Sequence, residues 1–309
     1  MILCLGTTPA VQRVMVFRKL TLDSVNRAVR TLDGAAGKSI NVAKVLRVLG
    51  ANPVATGFLG GDRGEYLRSV MAEKGIEQEF VAVTARTRQC VTVIDQSAGT
   101  VTELVEESRP VEPEAFARLM SILRQRIHGS RAVVMSGTIA PGGPADLYRE
   151  CTRLAREAGA FSVVDAQGPA LTEALKAGPA LVKPNRAELA ATLGRELSDE
   201  ASVLAAMRDL GERGAQRVVV TAGSGPSLAF DGRNYWRIVA PQVAAVNPIG
   251  SGDSFTAGLV WRLLAGDDLG EASRWGAAAG TANALTMMAG EVSREEVERL
   301  AREARTHPV

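Results

Sequence analysis

Histidine and cysteine are scarce in this chain, which has two histidines and three cysteines among 309 residues. His128 and His307 lie far apart, and Cys4, Cys90 and Cys151 are scattered. So few imidazoles and thiols argue against a zinc site and against a Ser–His–Asp triad. An odd number of scattered cysteines also argues against a disulfide framework, so we expect a reducing, cytoplasmic setting.

The chain also lacks a charge excess and a long apolar run. Its 36 basic and 34 acidic residues leave a net charge of +2, which gives no electrostatic footprint for nucleic acid. The longest uncharged stretch, 275–290, is too short to span a membrane, and we predict a tightly packed core helix there. The N-terminus has no basic region ahead of a long apolar run, so no signal peptide is expected.

Short apolar runs alternate with helical patterns through most of the sequence. The apolar runs predict buried strands at residues 54–59, 161–165 and 217–221, whereas helical periodicity predicts helices at 64–74 and 199–213. This alternation predicts one α/β domain over 1–309, with a mostly parallel sheet covered by helices on both faces. Ligands of such sheets bind beyond the carboxyl ends of the strands.

Two segments, at about 10–33 and 86–108, interrupt this alternation. They show alternating polar and apolar residues without an intervening helix. In the second segment, 90–94 and 100–104 read as a hairpin around Ser97-Ala98-Gly99. We therefore predict a small separate sheet built from these two segments.

The stretch Asn247 to Phe255 is the part of the sequence that indicates the function most directly. Gly250 and Gly252 bracket Ser251, Asp253 follows, and an apolar helical pattern begins. Backbone N–H groups at the start of a helix lack acceptors and, with the helix dipole, form a site for an anion. Asp253 could simply cap the helix; beside a bound phosphoryl group it could instead accept the proton of an alcohol.

Three motifs resemble those of the ribokinase-like (PfkB) carbohydrate kinases. Gly250 to Asp253 resembles the family's G-[AS]-G-D signature, Gly37 to Ala43 its G-K-G-x-N-V-A pattern, and Lys183 to Glu188 its K-P-N-x-x-E segment. Asn26-Arg27, Thr87 to Cys90 and Thr102 to Leu104 are similar to the branch containing 1-phosphofructokinases and tagatose-6-phosphate kinases.

The resemblance implies a ribokinase-like fold whose small sheet is a lid over the sugar and can form the contact of a homodimer. It also implies transfer of the γ-phosphoryl group of MgATP to a hydroxyl of a ketohexose phosphate. Asp253 would be the base, with the Gly250, Ser251 and Gly252 amides stabilising the moving phosphoryl group. The implied substrate-binding residues are Gln12, Asn26, Gly37, Lys38, Asn41 and Arg88. The implied nucleotide-binding residues are Lys183, Asn185, Glu188, Thr221, Gly223, Gly225 and Asn283, with Asn185 and Glu188 acting on Mg²⁺ through water.

The chain departs from the family pattern at three places. Gln12 stands where relatives have a substrate-binding aspartate, and an amide cannot ionise. Ala36 replaces one of two paired glycines before Lys38. Asn247-Pro248 replaces an Asp-Thr pair whose aspartate helps bind a monovalent cation, so potassium activation is not assumed.

Two other functions stay open at this point: a kinase of an unphosphorylated sugar or nucleoside, and a catalytically silent regulator that binds sugar or nucleotide. Asp253 argues against the silent regulator, whereas Gln12 keeps it open. A P-loop ATPase is rejected, because Leu32 occupies the position where that motif requires its first glycine. Asn185 and Glu188 also have the spacing of a capping box, which is compatible with a role in binding.

Overall fold

The computed structural model describes residues 1–309, which form fourteen strands and ten helices. The strands are β1 (Ile2–Gly6), β2 (Ala10–Phe17), β3 (Arg30–Ala36), β4 (Pro53–Leu59), β5 (Glu77–Ala82), β6 (Arg88–Asp95), β7 (Thr100–Val105), β8 (Ala132–Ser136), β9 (Phe161–Asp165), β10 (Leu181–Val182), β11 (Val218–Ala222), β12 (Gly225–Phe230), β13 (Tyr235–Val239) and β14 (Arg305–Pro308). The helices are α1 (Lys38–Val48), α2 (Gly61–Glu73), α3 (Pro113–Ile127), α4 (Leu147–Glu157), α5 (Gly168–Leu175), α6 (Arg186–Leu193), α7 (Glu200–Glu212), α8 (Ser251–Ala265), α9 (Leu269–Ala284) and α10 (Arg294–Glu303).

Ten strands form one large sheet in the order β14-β13-β12-β11-β10-β9-β8-β1-β4-β5. The part from β5 to β11 is parallel, and β12, β13 and β14 extend it with antiparallel pairing. The central strands are apolar on both faces: in β1, Leu3 and Leu5 join the core under α3–α7, whereas Cys4 joins the core under α1, α2 and α8–α10. The predicted parallel sheet with helices on both faces is confirmed.

The two segments without helices form a separate four-stranded sheet in the order β3-β2-β6-β7. β2 pairs with β6 in parallel, while β3 and β7 pair with them in antiparallel fashion. The hairpin expected around Ser97-Ala98-Gly99 is present as β6 and β7. Because β2 follows β1 and β3 leads directly into α1, this small sheet lies beside the carboxyl end of the large one.

Helices α8 and α9 pack closely through small residues. A Cβ atom on Gly258 of α8 would lie 2.7 Å from the Trp275 carbonyl oxygen and 3.0 Å from the Ala279 Cβ atom of α9. The backbones can approach this closely only because Gly258 has no side chain. No helix of the chain is long and apolar enough to cross a membrane.

The core helix predicted over 275–290 is correct only as far as Ala284, where α9 ends. Beyond it, the Thr286 hydroxyl donates to the Met288 carbonyl, and the Asn283 Oδ1 atom accepts from the Gly290 amide. These side-chain bonds capture backbone groups that a continued helix would need, so residues 285–290 turn back towards α8. Strand β14 was not predicted, because its four residues, Arg305–Pro308, are mostly exposed and carry no apolar alternation.

The close contact between α8 and α9 predicts that a larger side chain at Gly258 lowers the stability of the protein. Gly258→Val places a branched side chain against Trp275 and Ala279, and overpacking of this kind costs about 1–3 kcal/mol. We expect a lower melting temperature in thermal denaturation followed by circular dichroism. Ala265→Val, at the exposed C-terminal end of the same helix, is the matched control and should melt close to the unchanged protein. Equal melting temperatures for the two variants would contradict the close packing.

Candidate active site

A cleft of about 360 Å³ lies between the two sheets, at the carboxyl ends of the parallel strands. It receives residues from the ends of β9, β10 and β11, from the N-termini of α1, α6 and α8, and from the small sheet. The polar lining residues are Gln12, Lys38, Asn41, Arg88, Glu103, Asp165, Lys183, Asn185, Glu188, Thr221 and Asp253. A single cleft at this edge of the sheet is where α/β folds bind ligands.

The turn that begins α8 presents free backbone amides to the cleft. Gly250 caps the helix in a left-handed conformation (φ 86°), which a residue with a side chain rarely adopts. The Ser251 amide donates to the Pro248 carbonyl at 3.1 Å, whereas the amides of Gly250, Gly252 and Asp253 have no protein acceptor. These open amides at a helix N-terminus form an anion site.

Asp253 lies in the first turn of α8, lines the cleft and is 7% exposed. The Asn41 Nδ2 atom donates to its Oδ2 atom at 2.8 Å. Burial raises the pKa of Asp253 to about 7, although the nearby Lys38 ammonium acts in the opposite direction. A carboxylate with a pKa near neutrality, beside an anion site, suits a general base.

Two lysines share one buried carboxylate at the centre of the cleft. The Asp165 Oδ1 atom is 3.3 Å from the Lys38 Nζ atom, and its Oδ2 atom is 3.0 Å from the Lys183 Nζ atom. The Thr256 hydroxyl of α8 also donates to Oδ2, at 2.9 Å. Burial opposes ionisation of Asp165, but the two ammonium groups outweigh it and lower its pKa. Asp165 therefore stays ionised and fixes both ammonium groups in the cleft.

Lys38 also contacts Glu188, whose Oε1 atom is 2.9 Å from the Lys38 Nζ atom. Burial lowers the pKa of Lys38, but the carboxylates of Asp165, Glu188 and Asp253 together raise it overall. Glu188 and Asn185 form the predicted capping box of α6: Asn185 Oδ1 accepts from the Glu188 amide, and Glu188 Oε2 accepts from the Asn185 amide, both at 2.8 Å. No group of three or more carboxylates, histidines and cysteines is arranged to hold a metal ion.

The small sheet contributes Gln12, Arg88 and Glu103 to the opposite wall of the cleft. Gln12 is buried and its Nε2 atom donates to the Thr92 hydroxyl at 2.6 Å. The Arg88 guanidinium donates to the Thr8 carbonyl through Nε and Nη2, at 3.2 and 3.1 Å, and to the Glu106 carbonyl through Nη1 at 3.3 Å. These side chains face the anion site across the cleft.

The comparisons with known proteins agree with this geometry. The model of the pfkB family carbohydrate kinases matches residues 1–295. The chain belongs to this family. A tagatose-6-phosphate kinase of Staphylococcus epidermidis is 30% identical over 97% of this chain and 97% of its own length.

Solved structures of the family superpose over the whole chain. A possible 1-phosphofructokinase of Thermotoga maritima has a TM-score of 0.92 at 25% identity, covering 100% of this chain and 99% of that one. Phosphofructokinase-2 of Escherichia coli, in complex with potassium, has a TM-score of 0.88 at 27% identity, covering 98% and 97%. The family predicted from the three motifs is confirmed, together with the ribokinase-like fold.

Several residues of the family pattern lie outside the cleft in this chain. Asn26 is in the loop after β2, where its side chain bonds to the backbone of Thr21 and Ser24. Gly223 lies in the turn after β11 and Gly225 begins β12, and neither lines the cleft. None of the three lines the cleft, and their binding roles stay predictions.

The prediction that Asn283 binds the nucleotide requires correction. Asn283 is 0% exposed, and its side chain bonds to the Ile249 carbonyl, to the Ser251 and Ser254 hydroxyls and to the Gly290 amide. It therefore supports the turn before α8 from beneath. The Ser251 hydroxyl also contacts Asn283, and the Ser251 amide donates to the Pro248 carbonyl. The open amides of the turn are therefore those of Gly250, Gly252 and Asp253.

Asp165 and Glu103 line the cleft but were not among the predicted site residues. Asp165 ends a buried strand, which was a usable signal, because polar residues at the carboxyl ends of parallel strands meet at one edge. Glu103 gave no such signal, since an acidic residue on an outer strand is usually solvated. Only the pairing of β7 with β6 places it over the cleft.

The pKa of Asp253 predicts the pH dependence of this kinase. A base must be ionised to accept a proton, so kcat/KM should fall about tenfold per pH unit below pH 7 and level off above it. Steady-state rates between pH 5.5 and 9 measure this. Lys38→Met is the control, because loss of the ammonium that lowers the pKa of Asp253 should move the inflection to higher pH. An inflection that is unchanged in this variant would show that another group titrates.

Proposed function

We propose that the protein transfers the γ-phosphoryl group of MgATP to a hydroxyl of a ketohexose phosphate of the fructose 1-phosphate, fructose 6-phosphate or tagatose 6-phosphate type. One observation carries the proposal. A buried carboxylate, Asp253, shares a cleft with the open amides of Gly250 and Gly252 and with the ammonium groups of Lys38 and Lys183. Such a cleft can hold the transferring phosphoryl group beside a base.

In the proposed reaction the acceptor hydroxyl lies beside Asp253, which accepts its proton as the oxygen bonds to the γ-phosphorus atom. Asn41 holds Asp253 through Nδ2, while its buried Oδ1 atom has no partner in the protein and can accept from a sugar hydroxyl. The amides of Gly250, Gly252 and Asp253 would stabilise the charge on the phosphoryl oxygens, and the Lys183 ammonium lies on the same side of the cleft.

Magnesium would be supplied with the nucleotide. A magnesium ion keeps several waters and takes few direct protein ligands, and it binds substrate phosphates readily. The sparse oxygen set at the start of α6, Asn185 and Glu188, fits an ion held in this way. The ion would neutralise phosphate charge, while Lys183 and Thr221 would contact the nucleotide from the ends of β10 and β11.

Arg88 supports a substrate that already carries a phosphate. A guanidinium has five N–H donors, and three of those of Arg88 bond to the carbonyls of Thr8 and Glu106. This anchoring leaves one N–H group on Nη1 and one on Nη2. The two groups lie in one plane and can donate to two oxygens of a phosphate. Relatives of this chain are a tagatose-6-phosphate kinase and phosphofructokinases, one of them solved in complex with fructose-6-phosphate.

Gln12 bears on which sugar is bound. Its amide nitrogen is tied to Thr92, so the Gln12 Oε1 atom is the group left for a substrate, as an acceptor only. Glu103 supplies a carboxylate from the same wall. A free sugar or a nucleoside would leave Arg88 without an anionic partner, and a silent regulator would have no need of a base beside an anion site.

We also propose that the small sheet is a lid that excludes water from the transferring phosphoryl group, within a single domain of residues 1–309. The cytoplasm is the proposed location, because all three cysteines are free thiols. The lid is the proposed contact of a homodimer, since the loop between β2 and β3 exposes Leu22 (87%) and Val25 (82%).

The first test is a coupled assay of ADP release with fructose 1-phosphate, fructose 6-phosphate, tagatose 6-phosphate, the free sugars and a nucleoside. We expect activity on at least one phosphosugar. Asp253→Asn should lower kcat by about 10²–10⁴-fold, because the base is lost. Asp267→Asn, just beyond the C-terminal end of the same helix, is the matched control and should keep full activity.

An Asp253→Asn variant as active as the unchanged protein would refute the assigned base. Arg88→Gln should raise KM for the phosphosugar more than for any unphosphorylated sugar, because only the phosphosugar has a phosphate that Arg88 can contact. Activity on free sugars alone would refute the role given to Arg88.

The second test concerns the homodimer. Leu22→Asp with Val25→Asp puts charge on the exposed apolar loop, which should shift the protein from dimer to monomer in size-exclusion chromatography with light scattering. Val48→Asp, at a half-exposed apolar position at the end of α1, is the control and should stay dimeric. A monomeric unchanged protein, or a dimer that survives the double substitution, would refute the proposed contact.

A further inference from the structure

The loop that follows α9, residues 285–291, lies between α1 and the turn that carries the anion site. A Cβ atom on Gly250 would meet the Ala289 Cβ atom at 2.7 Å and the Gly290 amide nitrogen at 3.0 Å, and one on Gly290 would meet the Asn41 Cα atom at 2.8 Å. The loop thus touches Gly250 on one side and Asn41 on the other. Any change in its position would move the anion site relative to the base and its partner.

Members of this family can use a monovalent cation near this turn, and an aspartate at the position of Asn247 helps bind it. In this chain Asn247 is 1% exposed, and both ends of its amide are engaged within the protein. Its Nδ2 atom donates to the Met287 carbonyl at 2.8 Å, and its Oδ1 atom accepts from the Ile249 amide at 3.0 Å. An N–H donor directed at the loop has the opposite polarity to a carboxylate that would ligate a cation there.

The Ala289 carbonyl of the loop also has a donor from the protein. The Lys44 Nζ atom, on buried α1, donates to the Ala289 carbonyl at 2.6 Å and to the Ala35 carbonyl at 3.1 Å. The Thr286 hydroxyl lies 2.8 Å from the Asn283 carbonyl, 3.0 Å from the Met288 carbonyl and 3.2 Å from the Glu291 carbonyl, and its single proton can be donated to one of them. A cation would have to replace these donors to gain the carbonyl oxygens that stand in for its water shell. With Asn247 and Lys44 in place, the Met287 and Ala289 carbonyls do not fit a monovalent cation.

Lys44 brings a positive charge to the contact between β3 and the 285–291 loop. Its side chain is 3% exposed, and the closest carboxylate is that of Glu291, 4.0 Å away and also paired with Lys74 at 3.0 Å. Burial lowers the pKa of Lys44 to about 8, so the group still carries its charge at pH 7. The ammonium joins the end of β3, α1 and the loop through two carbonyl oxygens, as a bound cation would.

We infer that Lys44 and Asn247 take the place of a monovalent cation: they hold the 285–291 loop against the anion site, and the kinase needs neither potassium nor sodium. They are positioning residues, since they touch the loop and not the reacting atoms. The inference rests on the proposed kinase function and adds to it the way in which the anion site is kept in place.

The experiment measures kcat for the phosphosugar that the screen identifies, at saturating MgATP, with all salts supplied either as tetramethylammonium or as potassium at equal ionic strength. The unchanged protein should have the same kcat in both. Lys44→Met should lower kcat by about ten- to hundredfold in tetramethylammonium, as expected for loss of a hydrogen bond to a charged group. Potassium or ammonium ions should restore part of that loss, because the Ala35 and Ala289 carbonyls are then free to bind them.

Lys74→Met is the matched control: it removes the other lysine that contacts Glu291 but leaves the loop carbonyls alone, so its kcat should be unchanged in both salts. If Lys44→Met does not fold, as judged by circular dichroism, Asn247→Asp decides. That variant replaces the donor to the Met287 carbonyl by a carboxylate, so kcat should fall in tetramethylammonium, and potassium or ammonium should restore part of it by binding between the two oxygens.

Three results would overturn the inference: potassium stimulation of the unchanged protein, full activity of Lys44→Met in tetramethylammonium, and a folded but impaired Lys44→Met that no cation restores. For Asn247→Asp, indifference to cations would overturn it. Failure of the proposed function is a separate result, since the unchanged protein would then release no ADP with any sugar in either salt.

Discussion

The ion pairs of Asp165 are the interaction on which the arrangement of the cleft depends. Its buried carboxylate meets the Lys38 ammonium from α1, the Lys183 ammonium from the end of β10 and the Thr256 hydroxyl from α8. A buried charge is costly unless it is paired and hydrogen-bonded, and here the pairs join three parts of the fold at one point. The position of each ammonium group is therefore set by the same residue.

This pairing also governs the base. Asp253 lies among these charges in a buried position where desolvation favours its neutral form, whereas Lys38 favours the ionised one. The balance leaves its pKa near 7, far from that of a solvated aspartate. A pKa near 7 suits the proposed base, which must be ionised to accept the proton of an alcohol at neutral pH.

The two walls of the cleft are built differently. The wall with the proposed anion site comes from helix N-termini and strand ends of the large sheet, which are held by capping bonds and by the packing of α8 on α9. The opposite wall comes from the small sheet, where Gln12, Arg88 and Glu103 project from paired strands. Gln12 can therefore differ from the family pattern on the small sheet while the wall built on the large sheet stays intact.

The fold class, the separate small sheet and the chemistry of the α8 turn could be predicted from the sequence, because apolar periodicity and short motifs depend on neighbouring residues. The glycines at 250 and 252 and the carboxylate at 253 act within one helical turn, so their spacing was sufficient. Tertiary structure alone decided the roles of Asp165, Asn283 and Lys44. Each has a partner well separated along the chain: 91 positions for Asp165 and Thr256, 34 for Asn283 and Ile249, and 245 for Lys44 and Ala289. No local pattern encodes such a contact, because it exists only once the sheet has brought the strand ends together.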